Sequence, residues 1–348
     1  MRVLTKANLS YRKFLDRFGI EFEDLTKDLK YLDIETSVLE QYTYSYLTKY
    51  LNNIEYEIGL NSRLVHELFK GIEAPLEELT VLDIGGGVGI VSMMLVSMGV
   101  GRVIYLDQNP VVKRDAEILA TRLNRPAHEY VSASLEDMPK EVSESIDLAI
   151  SRDVIEHVYD LGALDFGQSR CPLLQRMVHN TSANMYCIWL KGYFREVHRE
   201  AEKEGVISTA GAGGFWQVRY EYIKKELGIT NEVEATKLAS ATRGLSFNDL
   251  NQYVDHGKYP HDRFWPENTC DPSNGNWSER LIPIEEYRKW ADRNEFSMNL
   301  KGGILNGRSG GLASKWTKGF LNTLITNNMS GPSLWPSLTI ILDRPSGA

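Results

Sequence analysis

The sequence predicts an α/β protein built on a doubly wound, mostly parallel sheet. From Thr80 onward, short apolar runs alternate with helical segments of about ten residues, the pattern of strands joined by right-handed crossovers. The first run, Thr80–Ile84, leads into glycines at 85, 87 and 89, where the backbone can turn tightly and approach a ligand, and then into a helical segment, Ile90–Met98. The second run, Arg102–Leu106, ends in Asp107, some twenty residues past the glycines, where an acidic side chain accepts hydrogen bonds from ribose hydroxyls of an adenosine ligand.

Residues 1–76 read as a helical cap. Phe14, Phe18 and Phe22 share one helix face. A second apolar stripe runs from Val38 to Ile54 and is expected to stop at Gly59, with a third helix over Ser62–Phe69. The tyrosines of this segment either pack the cap on the next domain or line a ligand mouth. Past Asp107, a helix is expected over Val111–Leu123, strands over His128–Ser132 and Ile146–Ser151, and a helix near Val154.

After Asp160 the rhythm breaks. A helix is expected over Leu173–Glu204, with Met185, Ile188, Trp189, Tyr193 and Val197 on one side, and a fifth strand over Gly205–Ala210. A helix near Tyr220–Leu227 precedes an irregular aromatic stretch, Leu245–Trp277, whose rings argue against disorder. Regular structure resumes with a helix opened by Pro283, a strand over Phe296–Leu305, a helix over Leu312–Ile325 and a strand over Ser337–Leu342, a hairpin-like closure of the sheet. The expected organisation is a cap (1–76), a core (77–160 with 281–348) and an insertion (161–280) forming a lid.

At 348 residues, with 42% hydrophobic and 25% charged residues, the chain has the composition of a soluble enzyme. Its net charge of −8 disfavours a large nucleic-acid surface, which needs clustered Lys and Arg. Three widely spaced cysteines give neither a disulfide framework nor a metal knuckle, so free thiols are expected. The N-terminus has no signal-peptide core and no apolar run reaches about 18 residues, so a cytoplasmic protein without a membrane span is expected. A homodimer is compatible with the sequence.

Four segments in order, Val81–Gly89, Tyr105–Pro110, Ala133–Pro139 and Ile146–Val158, resemble the class I S-adenosylmethionine-dependent methyltransferases. That resemblance implies a Rossmann-like, seven-stranded sheet and S-adenosylmethionine as cofactor. Asp83 and the turn of Gly85, Gly87 and Gly89 would hold the methionine end, Asp107 the ribose, and Gln108 would lie beside the adenine. Ser134, Leu135 and Glu136 follow the third strand, with Ser134 where the family usually presents an Asp. Ser151 and Arg152 would pass close to the sulfonium. A nicotinamide fingerprint instead needs glycines at positions one, three and six. Counted from Gly85 the sixth position is Ile90, and the third glycine, Gly89, falls at position five.

Asp153, Glu156 and His157 would share one helix face and resemble the segment that holds a divalent cation in ubiquinone-pathway O-methyltransferases. A structural hydrogen-bonding pair is the other reading. His256, His261 and His157 are candidate general bases, with Asp255, Asp262 and Glu267 placed to orient the loop histidines, and His179 a weaker candidate. Solvated loop histidines are the alternative. The expected function is methyl transfer to an oxygen or nitrogen of a small-molecule acceptor, with a protein or RNA methyltransferase, or a non-catalytic cofactor-binding partner protein, as alternatives.

Overall fold

The computed structural model describes residues 10–33, 38–204, 213–259, 264–307, 309–327 and 329–345. Three helices open it: α1 (Tyr11–Lys30), α2 (Gln41–Leu51) and α3 (Ile54–Phe69). The alternating section follows as β1 (Thr80–Ile84), α4 (Ile90–Met98), β2 (Arg102–Asp107), α5 (Pro110–Arg122), β3 (Glu129–Ser132), α6 (Lys140–Ser143) and β4 (Leu148–Arg152). Then come β5 (Arg176–Thr181), α7 (Lys191–Glu204), α8 (Phe215–Lys225), α9 (Glu232–Ala241) and α10 (Phe247–His256). The chain ends with α11 (Ile284–Arg293), β6 (Ser297–Gly302), α12 (Leu312–Thr326) and β7 (Leu338–Asp343).

Among the described residues the strands form one seven-stranded sheet in the order β3-β2-β1-β4-β5-β7-β6. The first five strands pair in parallel, and β7 enters antiparallel between β5 and β6. Successive residues point to opposite faces. Val81, Val103, Tyr105, Leu148 and Ile150 pack under α1, α3, α4 and α5, while Leu82, Ile84, Ile104, Leu106 and Ala149 pack against α11. Burial on both faces is why these strands read as unbroken apolar runs. In α1, Phe14, Phe18, Phe22, Leu25 and Leu29 are all buried against this core.

The structure corrects four local expectations. α3 runs through Gly59, because Ile58, Leu60, Leu64, Val65 and Leu68 bury on the core side, and that burial outweighs the glycine's cost of about 1 kcal/mol. The helix expected over Leu173–Glu204 is instead β5, an irregular turn and then α7. The irregular aromatic stretch contains α10, capped by Ser246, which packs with α8 and α9 in a small core around Ile223, Leu245 and Leu250. The helix expected near Val154 is a single 3-10 turn, Ile155–His157. The strand expected over Gly205–Ala210 falls on 205–212, outside the described residues. Cys171, Cys187 and Cys270 are buried and free, and no described helix is long and apolar enough to cross a membrane.

Arg176 ties the cap to the sheet. Its guanidinium donates to the carbonyls of Glu67 (3.1 Å) and Lys70 at the end of α3, where helical carbonyls lack partners, and pairs with Asp343 of β7. Arg176→Ala is expected to cost about 2–4 kcal/mol of unfolding free energy in a urea titration. A loss below about 0.5 kcal/mol would mean that the tie is no stronger than an exposed ion pair.

Candidate active site

The turn between β1 and α4 is set by backbone conformation. Gly85, Gly87 and Gly89 have φ of 61°, 54° and 79°, a region that L side chains rarely occupy. A Cβ on Gly85 would strike Val154, and one on Gly86 the ring of Tyr105. Gly87, by contrast, has open space, with the Tyr46 ring 3.9 Å from its notional Cβ. β2 stitches the turn in place: the Gly86 N–H donates to the Leu106 carbonyl (3.2 Å), the Gly87 N–H to Asp107 Oδ2 (3.2 Å), and the Tyr105 hydroxyl to the Gly87 carbonyl (2.7 Å). Asp107 Oδ1 accepts from the Asn109 N–H (2.9 Å). Each carboxylate oxygen keeps a second lone pair, the acceptor capacity a ribose diol requires. Bare backbone at Gly87 beside this carboxylate fits an adenosine ligand.

Asp83 lies beneath the turn, 2% exposed, with Oδ2 accepting from the Ser92 N–H (3.0 Å) and hydroxyl (2.6 Å). Burial raises its pKa to about 7, the Ser92 bonds oppose that rise, and the charge of Asp107 adds to it. A cationic group arriving here would restore the ionised form. That matches an ammonium.

One wall of the site is a tyrosine ladder on α2. Tyr42 and Tyr46 stack with centroids 6.1 Å apart, Tyr46 and Tyr50 lie 5.0 Å apart, and the Arg152 guanidinium sits 5.4 Å from the Tyr50 centroid. Burial of Tyr46 and Tyr50 pushes their hydroxyls well above the ordinary range. Arg152 pairs with Glu57 (2.6 Å), approaches Asp153 (3.5 Å) and donates to Asn61 (3.2 Å). Burial works against its charge, but Tyr50, Asp153 and Glu57 outweigh that and hold it cationic.

Behind the strand ends runs a fully buried polar chain. Ser151 Oγ lies 2.6 Å from His179 Nδ1, and the Thr181 hydroxyl donates to Glu156. His179 Nε2 and Glu156 Oε2 face each other at 3.6 Å, too far to bond. Burial drives His179 down to about 3 and Glu156 well up, Asp153 and Glu279 adding to the rise in Glu156, so the interior disfavours the charged form of each.

In front of it, Asp153 (φ 52°) accepts from the Ser182 N–H (2.8 Å) and hydroxyl (2.9 Å). Four residues on, His157 Nδ1 lies 2.7 Å from the Trp277 carbonyl. A carbonyl only accepts, so Nδ1 carries the proton and Nε2 presents a lone pair. That Nε2 is 4.0 Å from Glu279 Oε1, with both side chains about one-third exposed (36% and 30%). Glu279 also has a positive φ (56°), and burial raises its pKa, with His157 opposing the rise and Asp153 adding to it. Tyr193 of α7, 61% exposed, has its pKa raised by partial burial and by the charges of Glu279, Glu200 and Asp153.

The structure thus brings Asp83, Gly85, Gly87, Gly89 and Asp107 together at the ends of β1 and β2, with Ser151, Arg152, Asp153 and His157 after β4. Gln108 is exposed beside Asp107. Ser134 bonds to Asp137 through its hydroxyl (3.0 Å), leaving Asp137 and Glu136 exposed at the end of β3 while Leu135 enters the core. His256 is exposed at the end of α10, and among the described residues no hydrogen bond or ion pair joins it to the strand ends. His261 and Asp262 lie outside the described residues. Asp153, Glu156 and His157 do not converge: the 3-10 turn sends Asp153 to Ser182, Glu156 to Thr181 and His157 to Trp277. Among the described residues no group of three His, Cys, Asp or Glu could hold a metal ion.

Sequence reasoning missed Glu57, Asn61, Ser92 and Glu279. Glu57 and Asn61 are four apart on α3, a spacing that places them on one face. Glu279 carries no sequence signal, being set by an irregular backbone.

Because Asp83 must ionise to attract an ammonium, S-adenosylmethionine affinity is expected to weaken as pH falls through about 7, and Asp83→Asn to flatten that profile in titration calorimetry. Its folded pKa stands above the unfolded one, so its stabilising contribution is lost as pH rises through about 7; ligand-free Asp83→Asn is therefore expected to melt higher than the parent at pH 8. A pH-independent affinity would remove Asp83 from the cofactor contact.

No curated protein matches the chain. Among solved structures, it is similar to a protein from Bacillus halodurans assigned as a methyltransferase, at 10% identity over 82% of this chain and 99% of that one, with a TM-score of 0.42. It is also similar to a protein from Listeria monocytogenes assigned as an S-adenosylmethionine-dependent methyltransferase, at 10% identity over 78% and 94% of the two chains, with a TM-score of 0.39. Residues 82–164 match the family described as the methyltransferase domain, a stretch running from β1 past the 3-10 turn after β4. That match assigns residues 82–164 to a methyltransferase domain.

Proposed function

We propose that the protein methylates an oxygen or nitrogen of a small-molecule acceptor, with His157 as the general base. The observation that carries this reading is the His157 tautomer: Nδ1 is bonded to the Trp277 carbonyl, and Nε2 is an acceptor on a side chain about one-third exposed (36%). S-adenosylmethionine, when bound, supplies an electrophilic methyl group. Asp107 and the Gly87 backbone hold its ribose, and Asp83 its ammonium. In that transfer the bound cofactor would keep the electron pair of the carbon–sulfur bond that breaks. The acceptor lone pair forms the new bond to carbon, and its O–H or N–H proton passes to Nε2. Glu279 Oε1, 4.0 Å away, stabilises the imidazolium so formed.

The acceptor mouth is bordered by Tyr46 and Tyr50 from the cap, Tyr193 from α7 and Glu279. Residues 1–76 and 161–280 therefore act as its lid, although β5 within the latter belongs to the sheet. The acidic balance of the chain and the carboxylates at the mouth favour a small acceptor over nucleic acid.

His157→Ala is expected to lower turnover about a hundredfold or more toward phenols, amines or hydroxyl acceptors. S-adenosylhomocysteine release across an acceptor panel measures this, with cofactor affinity unchanged. Turnover insensitive to the substitution would overturn the role of His157.

A further inference from the structure

The excursion between β6 and β7 turns the apolar side of a helix away from the protein. α12 is anchored by Asn322, whose amide exchanges hydrogen bonds with the Leu305 backbone (2.8 and 2.9 Å), by Lys318 on Ser309 (2.6 Å to Oγ) and by buried Ile325. At about 100° per residue these three occupy one side, and Trp316 and Phe320 the opposite one. Trp316 is 79% exposed, Phe320 65% and Met329, just past the helix, 71%. A helix of a soluble protein usually has the reverse arrangement. The surface continues onto the turn before α7, where Ile188 and Trp189 are exposed and the Ile188 N–H donates to Ser333 (3.1 Å). The excursion also contacts the cap, since the Tyr56 hydroxyl of α3 donates to the Ile304 carbonyl (2.9 Å).

Charge selects the occupant. The chain has a net charge of −8, yet from Phe296 to Leu342 it contains no acidic residue; of its lysines, Lys301 pairs with Glu67 and Lys318 bonds to Ser309, which leaves Lys315 exposed on α12. An anionic surface repels the molecule as a whole and admits it at this segment. A symmetric copy of the chain would set the exposed Lys315 near its own counterpart. Outward Trp and Phe beside an exposed Lys315 are the features of a helix that lies in a membrane interface. We propose that α12 docks the enzyme on an anionic lipid surface by inserting Trp316 and Phe320 between headgroups, with Met329, Ile188 and Trp189 at the rim.

Co-sedimentation of the full chain with phosphatidylcholine vesicles, with and without phosphatidylserine, tests this. The parent chain is expected to bind the anionic vesicles, and Trp316→Ser/Phe320→Ser to bind tenfold or more weakly. Lys315→Glu, or omission of phosphatidylserine, should weaken binding about fivefold. Unchanged S-adenosylmethionine affinity reports that the variants are folded. No vesicle binding by the parent, equal binding by the double variant, or a lipid-free dimer that the double variant dissolves would each overturn the proposal; the last would give the face to a second copy.

Discussion

The structure depends on the stitching of the glycine turn to the end of β2. Three residues with positive φ cannot hold one shape unaided, since glycine gives up more conformational freedom on folding than any other residue. Asp107 and Tyr105 supply the restraint from opposite sides, one accepting from the Gly87 N–H and the other donating to its carbonyl. The same bonds aim the Asp107 carboxylate at the open space above Gly87. On the proposed reading, fold and cofactor contact are one constraint: the residues that lock the turn would also present the acceptor atoms.

Electrostatics divides the site into a charged front and a neutral back. At the front, Arg152 lies between Glu57 and Asp153, and His157 lies near Glu279. At the back, burial disfavours the charged forms of Glu156 and His179, because an uncompensated interior charge is costly. Asp153 and Glu279 both adopt positive φ, a strain non-glycine residues bear where surrounding structure fixes them, and both face the same space.

The sheet from β1 to β4 was legible because strands covered on both faces become apolar runs, and because a Gly turn and a terminal Asp have fixed positions along them. β5 was not legible. Its second half, His179-Asn180-Thr181, is polar, and its partners come from Ser151, the Ser337–Thr339 segment and Glu156, distant in sequence. Helical periodicity from Met185 to Val197 was real only from Lys191 on, and Ile188 and Trp189 before α7 face outward while Met185 and Leu190 pack inward. The metal reading failed for a local reason: i, i+3, i+4 convergence needs α-helical geometry, and the chain makes one 3-10 turn there. The turn glycines, Asp83, Asp107 and His157 could be singled out from sequence, whereas Glu279 depends on a backbone conformation that no periodicity encodes.

The central claim is that Asp107 is both the lock of the turn and the ribose acceptor. Titration calorimetry of Asp107→Ala with S-adenosylmethionine tests it most directly. The account predicts affinity at least tenfold weaker, as expected when charge-assisted hydrogen bonds of about 1.5–3 kcal/mol are removed. Affinity equal to that of the parent chain would contradict it.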